Sequence, residues 1–271
     1  MAYEEAMLGL VRDALEISRP NAFLNAFLPF QQRIARLGSR NSVVQTTLKL
    51  TLPGVADVYQ GAELWDLSLV DPDNRRPVDY RARIGLLEQV SALLKCDRRT
   101  AMLDMLKGWQ DGRAKLAVIA ILLGYRRDHS KLFAQGSYEP LIATGSKVDQ
   151  ICAFARSYQQ DVLVVAVARF SVRSEADRDW AGTEIPWPQA VGRQTHWQDL
   201  FGERVVERRG EGVGVEAVLG DMPVAVLVPI TADTAKYDLD AKPVSVRGRG
   251  GNSAVGGRRA ERARTWSPAR A

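Results

Sequence analysis

The sequence contains few of the residues from which metal centres and disulfide frameworks are built. Only two cysteines, Cys96 and Cys152, and two histidines, His129 and His196, occur in 271 residues. The cysteines lack metal-ligand spacing and are too few for a disulfide framework, so we expect buried or inert thiols. The separated histidines form no ligand cluster, and we therefore expect neither a metal nor any other cofactor.

Long hydrophobic runs are also absent. No stretch approaches the roughly 18 consecutive apolar residues of a membrane-spanning helix. The N-terminal Met-Ala-Tyr-Glu-Glu is unlike the basic and then apolar start of a secretory signal. We therefore expect a soluble, cytoplasmic protein without a membrane partner. Hydrophobic residues make up 46% of the chain, which is enough to build a core at this length.

The basic charge is concentrated in one segment. Residues 241–271 contain eight basic residues and one acidic residue, whereas the formal net charge of the whole chain is +5. The rest of the chain is thus slightly acidic, and we do not expect it to bind nucleic acid. The Arg/Gly-rich tail, residues 231–271, is expected to be disordered because it cannot bury a core. Out-of-frame coding sequence and non-specific binding to RNA or an anionic surface are alternatives for the tail.

Apolar residues recur at helical spacing through the first half of the chain. Asn21 is a candidate N-cap, Pro29 is a candidate break, and Gly38 is a candidate helix end. The pattern predicts helices at 3–17, between Asn21 and Gly38, between Ser39 or Asn41 and Pro53, and over 81–95, 99–108 and 112–127. Asp111 is a candidate N-cap for the last of these.

The second half of the chain is richer in β-branched residues. Residues 162–168 and 222–230 are apolar runs bounded by turn residues. Shorter candidate strands lie at 138–144, 149–156, 195–200 and 214–219. Several short strands separated by turns favour an antiparallel β-sandwich over residues 136–230, with a domain boundary at 128–137.

The segment 51–80 is the most informative part of the chain. A short apolar run, Val55–Tyr59, predicts a strand, and a long loop rich in carboxylates, guanidiniums and aromatic rings follows it. Connections of this length that are dense in polar groups are more often functional than merely connecting. Sugars need hydrogen-bonding groups for their hydroxyls and flat apolar faces for their rings, so the loop is a candidate sugar site. A solvated, ion-paired loop is the alternative.

The same segment carries a resemblance to a known family. Pro53-Gly54-Val55-x-Asp57-Val58-Tyr59-Gln60-Gly61-x-Glu63 resembles the region around the eighth barrel strand of the α-amylase superfamily. Residues 64–80, Leu-Trp-Asp-Leu-Ser-Leu-Val-Asp-Pro-Asp-Asn-Arg-Arg-Pro-Val-Asp-Tyr, narrow this to the malto-oligosyltrehalose synthases. Further matches are Phe27 to Phe30 with Arg33, Asp111 to Leu116, and Leu132 to Gly136, so that the similarity spans about residues 3–230.

The resemblance implies an α+β fragment. Residues 1–127 would supply the C-terminal helices and the last strand of a (β/α)8 catalytic barrel, and 136–230 a C-terminal β-sandwich domain. Active sites of such barrels lie at the carboxyl ends of the strands, where the loop 61–80 would then lie. The implied reaction is intramolecular transglucosylation in trehalose biosynthesis, which isomerises the reducing-end α-1,4 linkage of a malto-oligosaccharide to α,α-1,1.

The resemblance also implies that the reacting groups lie elsewhere. The catalytic carboxylates and the family's His-Asp motif would precede Met1, and no His-Asp dipeptide occurs in this chain. We therefore expect no catalytic residue here, an inactive fragment, and the missing N-terminal part of the enzyme as a partner. The alternatives are a non-catalytic carbohydrate-binding or scaffold fragment, and another glycosidase or transglycosidase of the superfamily.

Candidate substrate-binding residues come from the strand end and the loop. They are Tyr59, Gln60, Glu63, Asp73, Asn74 and Arg75. Carboxylate and amide groups accept or donate to sugar hydroxyls, and a guanidinium offers a planar set of donors. The alternatives are a core position for Tyr59 and structural Asp–Arg ion pairs in the loop.

Several other side chains have a structural and a binding interpretation. Trp65 could stack on a glucose ring or be buried under the loop. Asp111, Arg113 and Lys115 are expected to form a helix cap and salt bridges. Three tryptophans of the second half are expected in the core of the sandwich, namely Trp180, Trp187 and Trp197. The alternative is that their rings form a flat surface on which a sugar stacks.

Overall fold

The computed structural model describes residues 2–176, 179–180, 182–192 and 194–230. The predicted tail, 231–271, lies outside the described residues. The first half of the chain is helical, as its apolar spacing predicts. Its helices are α1 (Ala2–Ala14), α2 (Ala22–Thr51), α3 (Tyr80–Cys96), α4 (Arg98–Lys107), α5 (Arg113–Asp128) and α6 (Ser130–Gln135). No helix among these residues is long and apolar enough to cross a bilayer.

Side-chain caps explain where several of these helices begin. The Asn21 side chain accepts from the Leu24 N–H at 3.1 Å, which confirms the predicted cap of α2. Asp79 accepts from Ala82 and Asp97 from Thr100, so α3 and α4 each begin after an aspartate. The predicted cap Asp111 instead precedes Gly112, the N-cap of α5, and accepts from the Arg113 N–H.

The predicted division of α2 is wrong. One 30-residue helix runs through both Pro29 and Gly38. Proline at position 29 can remove only one helical hydrogen bond, which would run to Asn25. The lost bond is offset by the C-terminal half of the helix, where Leu37, Val43 and Leu50 are buried in the core.

The predicted strand Val55–Tyr59 is absent: these residues carry no regular secondary structure. A strand requires neighbours that pair with its backbone N–H and C=O groups. All strand pairs among the described residues are antiparallel and lie between 137 and 229, so none reaches this segment. Its strand-like sequence therefore has no ladder to join within the described chain.

The second half of the chain forms an antiparallel sheet. Its strands are β1 (Ser137–Pro140), β2 (Ile151–Tyr158), β3 (Asp161–Ala168), β4 (Glu184–Pro186), β5 (His196–Asp199), β6 (Val205–Glu207), β7 (Gly212–Gly214) and β8 (Val224–Pro229). Six strands pair in the order β1-β2-β3-β8-β5-β6, and β4 pairs with β7. Two short helices, α7 (Ser171–Ala176) and α8 (Val215–Leu219), connect strands.

The predicted strand at 214–219 is α8 instead. Its buried residues, Val215, Val218 and Leu219, recur at helical rather than alternating spacing. Gly220, at φ +52°, ends the helix. The β-branched residues of this segment favoured a strand in the prediction. The segment forms a helix because its buried side chains are spaced as on a helix.

Both faces of the large sheet are covered, which explains the unbroken apolar run of β3. Leu163, Val165 and Val167 pack into a core shared with the helices α2 to α6. The alternate residues Val164 and Ala166 pack into a second core that includes the β4-β7 pair. The antiparallel sheet is confirmed, but helices rather than a second large sheet cover one of its faces. The domain division at 128–137 stays a prediction.

Candidate functional site

Two arginines fix the end of α2, which precedes the candidate sugar loop in the chain. Arg126 donates to the Leu50 carbonyl at 2.7 Å, and Arg156 donates to the Thr51 carbonyl at 3.3 Å. Arg156 is almost fully buried and donates its other hydrogen bonds to the backbone carbonyls of Leu132, Phe133, Gly136 and Ser137. Positive charge stabilises the carboxyl end of a helix, so both arginines hold the end of α2, from which residues 52–60 lead to the loop.

The first part of the loop is attached to the start of α5. Lys115 donates from Nζ to the Leu64 carbonyl at 3.1 Å. Trp65 donates from Nε1 to the Trp109 carbonyl at 2.6 Å. Gly112, at φ +78°, lies so close that an added Cβ would be 3.2 Å from the Leu64 side chain. The segment Asp111 to Lys115 therefore has a role that the sequence analysis did not predict: the first part of the loop packs against it.

Lys115 is a partly buried cation whose pKa is shifted. Burial lowers its pKa, nearby Lys49 lowers it further, and Asp66 and Glu63 raise it. Its ammonium lies 5.7 Å from the centre of the Trp65 ring, within the range of a cation–π contact. Arg113 instead forms the predicted surface ion pair with Asp111 at 2.7 Å.

Arg83, on α3, joins both ends of the loop. Its guanidinium donates to the Gly61 carbonyl at 3.0 Å and to the Asp79 carbonyl at 3.2 Å. It also pairs with Glu63 at 3.3 Å, and both side chains are mostly shielded from solvent. The sequence analysis missed Arg83. The sequence does contain one indication of its role. Arg83 lies four residues after the cap Asp79, and this i, i+4 spacing places its side chain on the side of α3 that faces the loop.

The second part of the loop is held by its own ion pairs. Arg75 forms a two-point pair with Asp71, and Arg76 pairs with Asp73. Asp73 also accepts from the Leu69 N–H at 2.7 Å, which closes a turn around residues 69–73. The alternative interpretation of this loop, structural Asp–Arg pairs, therefore describes contacts that are present.

Asn74 differs from its neighbours. It lies in a single 3-10 turn, Asp73–Arg75, and its side-chain oxygen is buried with no hydrogen-bond partner. Most buried polar atoms in folded proteins are hydrogen-bonded, so this oxygen is an exception within the loop.

A cleft of about 490 Å³ lies against the loop. Three of the six predicted residues line it, namely Gln60, Asp73 and Asn74. Tyr59, Glu63 and Arg75 do not line it: Tyr59 is exposed to solvent, and the other two point into ion pairs. Further lining groups that the predictions omitted are Trp65, Asp66, Arg76, Asp79 and Arg83. This mixture of carboxylates, amides, guanidiniums and one indole suits hydroxyl-rich ligands.

One carboxylate of the cleft, Asp66, has a perturbed pKa. Hydrogen bonds from the Ser68 hydroxyl and N–H lower the pKa of Asp66. Among the described carboxylates, the one with a raised pKa is Asp199, which is buried in the sheet region and lies outside the cleft. Glycosyl transfer needs one protonated and one ionised carboxyl group facing each other.

Trp65 also borders a second cleft of about 530 Å³, on the side of Trp109 and α4. The indole is thus half-buried between two clefts, and it also packs against the core that the helices share with the sheet. The tryptophans of the second half behave differently: Trp180, Trp187 and Trp197 are all buried in the core beneath the sheet. That placement confirms the core interpretation and leaves Trp65 as the aromatic face of the candidate site.

Comparisons with known proteins point to one group of enzymes. No protein-family model matches the chain. A protein of Mycobacterium tuberculosis H37Rv named as a maltooligosyl trehalose synthase is 38% identical over 198 residues, which are 72% of this chain and 22% of that protein. The counterpart from strain CDC 1551 gives the same values.

Solved structures agree with the sequence relatives. The maltooligosyltrehalose synthase of Arthrobacter ramosus has a TM-score of 0.63 and 29% identity, covering 84% of this chain and 27% of the enzyme. A glycosyltrehalose synthase from strain DSM5389 has a TM-score of 0.57 and 25% identity, with 84% of this chain and 25% of that chain covered. The chain thus spans about a quarter or less of each relative. It is a homologue of one segment of the maltooligosyltrehalose synthases.

Proposed function

We propose that this chain forms the substrate-binding C-terminal portion of a maltooligosyltrehalose synthase. The whole enzyme would isomerise the reducing-end α-1,4 linkage of a malto-oligosaccharide to α,α-1,1 by intramolecular transglucosylation. The observation that carries the proposal is the fixed loop 61–80: a homologue of these synthases presents a polar cleft that Gln60, Asp73 and Asn74 line. The proposal also places the protein in the cytoplasm, which fractionation of cells expressing a tagged chain would test.

Within this proposal, residues 1–127 are the last helices of a (β/α)8 barrel, and 136–230 follow as the C-terminal β-domain. Residues 55–59 would be the eighth strand, which gains its ladder only beside the other barrel strands. The loop 61–80 would then open at the carboxyl ends of the strands, where barrel active sites lie. The clamps from Arg83 and Lys115 would hold it there.

The proposal assigns substrate binding to this chain and the catalytic carboxyl groups to the rest of the enzyme. A retaining transfer of glucose uses a carboxylate nucleophile and a carboxylic acid, both on the part of the enzyme that this chain does not match. Gln60, Asp73 and Asn74 would hydrogen-bond sugar hydroxyls, and Trp65 would contact a sugar ring. Glu63 and Arg75 would act by shaping the loop, and Tyr59 would line the barrel mouth. The ligand is a malto-oligosaccharide.

A chimera tests the proposal. In the Arthrobacter ramosus enzyme, residues 2–230 of this chain would replace the matched segment. We expect the chimera to convert maltopentaose to a non-reducing product, and the 271-residue chain alone to give none. The same chimera with Asn74→Ala should lose activity through a higher KM. A folded chimera that binds maltopentaose but forms no product would favour the second candidate, a non-catalytic carbohydrate-binding fragment, which the polar lining of the cleft supports.

A further inference from the structure

The second cleft beside Trp65, of about 530 Å³, has the properties of a separate ligand site. Its size is within the roughly 300–1,000 Å³ of most small-molecule sites. Its lining residues come from α2, from α4, from the 3-10 turn and the first residues of α5, and from the turn before β8. Among the described residues, Trp65 alone lines both clefts. The second cleft is here called the basic cleft.

The spacing of residues along two helices brings its basic groups together. On α2, Arg36 and Arg40 are four residues apart, and Val43 continues the same face three residues later. Val43 is buried in the core, so the two arginines extend its stripe into the cleft. On α4, Leu103 and Lys107 are likewise four residues apart. Each helix thus places cationic and apolar side chains on the face that lines the cleft.

The described lining of the basic cleft contains three cations and one carboxylate. The cations are Arg36, Arg40 and Lys107, and the carboxylate is Asp221. A guanidinium forms paired hydrogen bonds with phosphate oxygens, and an ammonium attracts them as a point charge. Lys107 pairs with Asp104 at 3.6 Å, but both side chains are largely exposed, and a pair of this kind contributes little to stability. An anion in the cleft would thus meet a net positive charge without first breaking a strong ion pair of Lys107.

Two indoles supply flat apolar surface in the same cleft. Trp65 and Trp109 both line it, and both are half-buried. The Trp65 Nε1 donates to the Trp109 carbonyl at 2.6 Å, which fixes the two residues relative to each other. Aromatic side chains stack on the flat face of a bound ring. The cleft therefore combines positive charge with a surface for a ring.

The lining of the basic cleft differs from that of the candidate sugar cleft. The candidate sugar cleft has amides at Gln60 and Asn74 and several carboxylates, which suit neutral hydroxyl groups. In the basic cleft, the described side chains that can accept a hydrogen bond are those of Ser39 and Asp221, and the Ser39 hydroxyl donates to the Arg36 carbonyl at 2.7 Å. The basic cleft thus offers donors to an anion more than acceptors to a neutral sugar.

We propose that the basic cleft binds a small phosphorylated ligand that carries a flat ring. Arg36, Arg40 and Lys107 hold the phosphate, and the ring lies against Trp65 and Trp109. A nucleotide and a phosphorylated sugar share this chemistry. The site is separate from the proposed reaction, because a malto-oligosaccharide is neutral and the described linings of the two clefts have one residue in common.

Isothermal titration calorimetry of the 271-residue chain tests this site. The probes are adenosine monophosphate and glucose 1-phosphate, which are compared with adenosine, glucose and inorganic phosphate. We expect at least one probe to bind at least about tenfold more tightly than its neutral counterpart and than inorganic phosphate, because the phosphate and the ring both contribute. The probe that binds more tightly identifies the kind of ring that the cleft accepts.

Variants locate the bound probe. Lys107→Met removes a cation and Trp109→Leu removes a ring, so each should weaken binding at least about fivefold. Trp109→Leu keeps the backbone carbonyl that accepts from Trp65, and Lys107 is exposed, so Lys107→Met should keep the parental melting temperature. Arg76→Met is the matched control: it removes a cation that lines the candidate sugar cleft, and binding should be unchanged.

Three results would overturn the proposed site. Binding of inorganic phosphate or of the neutral compounds as tightly as the probes would show that charge and ring do not act together. Weaker binding in Arg76→Met but not in Lys107→Met would place the ligand in the candidate sugar cleft. Binding of neither probe to the folded chain would show that the cleft does not take such a ligand. None of these results bears on the conversion of maltopentaose by the chimera, so the proposed function is tested separately.

Discussion

Arg156 on β2 donates to the carbonyl of Thr51, the last residue of α2, across 105 positions of the chain. The same guanidinium holds the end of α6 and the start of β1 through four more carbonyls, with no carboxylate among its partners. A buried cation satisfied by helix-end carbonyls joins the helical half of the fold to the sheet. It also fixes the end of α2, which precedes the candidate sugar loop in the chain.

Replacing Arg156 should therefore destabilise both halves of the fold. Arg156→Met leaves several buried carbonyls without donors, and we expect a loss of about 2–4 kcal/mol in the free energy of unfolding. Arg156→Lys keeps the charge but offers fewer donors and should lose less. Urea denaturation would measure both. Lys131→Met, which removes an exposed cation from α6, is the control and should change stability little. Similar midpoints for Arg156→Met and Lys131→Met would contradict the role of Arg156.

Asp199 gives the fold a pH dependence. It is fully buried, and burial raises its pKa to about 6, although the N–H groups of Val226 and Gly202 donate to it. Because the folded pKa is higher than the unfolded value of 3.8, the folded state holds the proton more tightly between these values. The contribution to stability is therefore full below about pH 4 and is lost as pH rises through about 6. The loss is on the order of 3 kcal/mol.

Urea titrations between pH 4 and 7 test the Asp199 effect. In Asp199→Asn this contribution to the pH slope should disappear, although the variant is less stable overall because an amide cannot accept both N–H groups. Asp104→Asn removes an exposed carboxylate on α4 and should keep the parental slope. The prediction is wrong if Asp199→Asn and the parent protein lose stability in parallel across this range.

Lys115 should hold the first part of the loop in place. Lys115→Met removes the donor to Leu64, and a hydrogen bond from a charged group contributes about 1.5–3 kcal/mol. Hydrogen exchange of residues 61–66 should become at least about tenfold faster, while exchange in β3 stays slow. Lys115→Arg should restore most of the protection. Lys107→Met is the control, because Lys107 is exposed and pairs only within α4. Unchanged exchange at 61–66 in Lys115→Met would show that the lysine does not hold the loop.

The sequence predicts secondary structure well where residues close together in the chain determine it. Helix α3 lies within one residue of its predicted span, because its apolar stripe and the Asp79 cap are both local. The strand predictions for 55–59 and 214–219 are wrong for different reasons. The first needs neighbouring strands that the described chain lacks, and the second has β-branched residues placed at helical spacing. Neither condition can be read from composition alone.

The candidate site was predictable in its residue types but not in its contacts. The loop was identified from its density of polar and aromatic groups, and Gln60, Asp73 and Asn74 do line a cleft. The clamps Arg83 and Lys115 lie on α3 and α5, away from the loop in sequence, so their contacts depend on tertiary packing. A sequence pattern cannot show which aspartate pairs with which arginine.

The loop residues should separate into binding and structural roles when tested in the chimera. Asn74→Ala removes an acceptor that no protein group uses, so we expect no loss of thermal stability. If the Asn74 amide, which lines the cleft, hydrogen-bonds a sugar hydroxyl, the variant should raise KM for maltopentaose, by up to about tenfold for one hydrogen bond. Asp73→Ala should lower both melting temperature and activity, because Asp73 closes the turn through Leu69 and pairs with Arg76. Arg75→Ala breaks an exposed pair with Asp71 and should change melting temperature little. A lower melting temperature with unchanged kinetics in Asn74→Ala would show that its oxygen supports the loop and does not bind sugar.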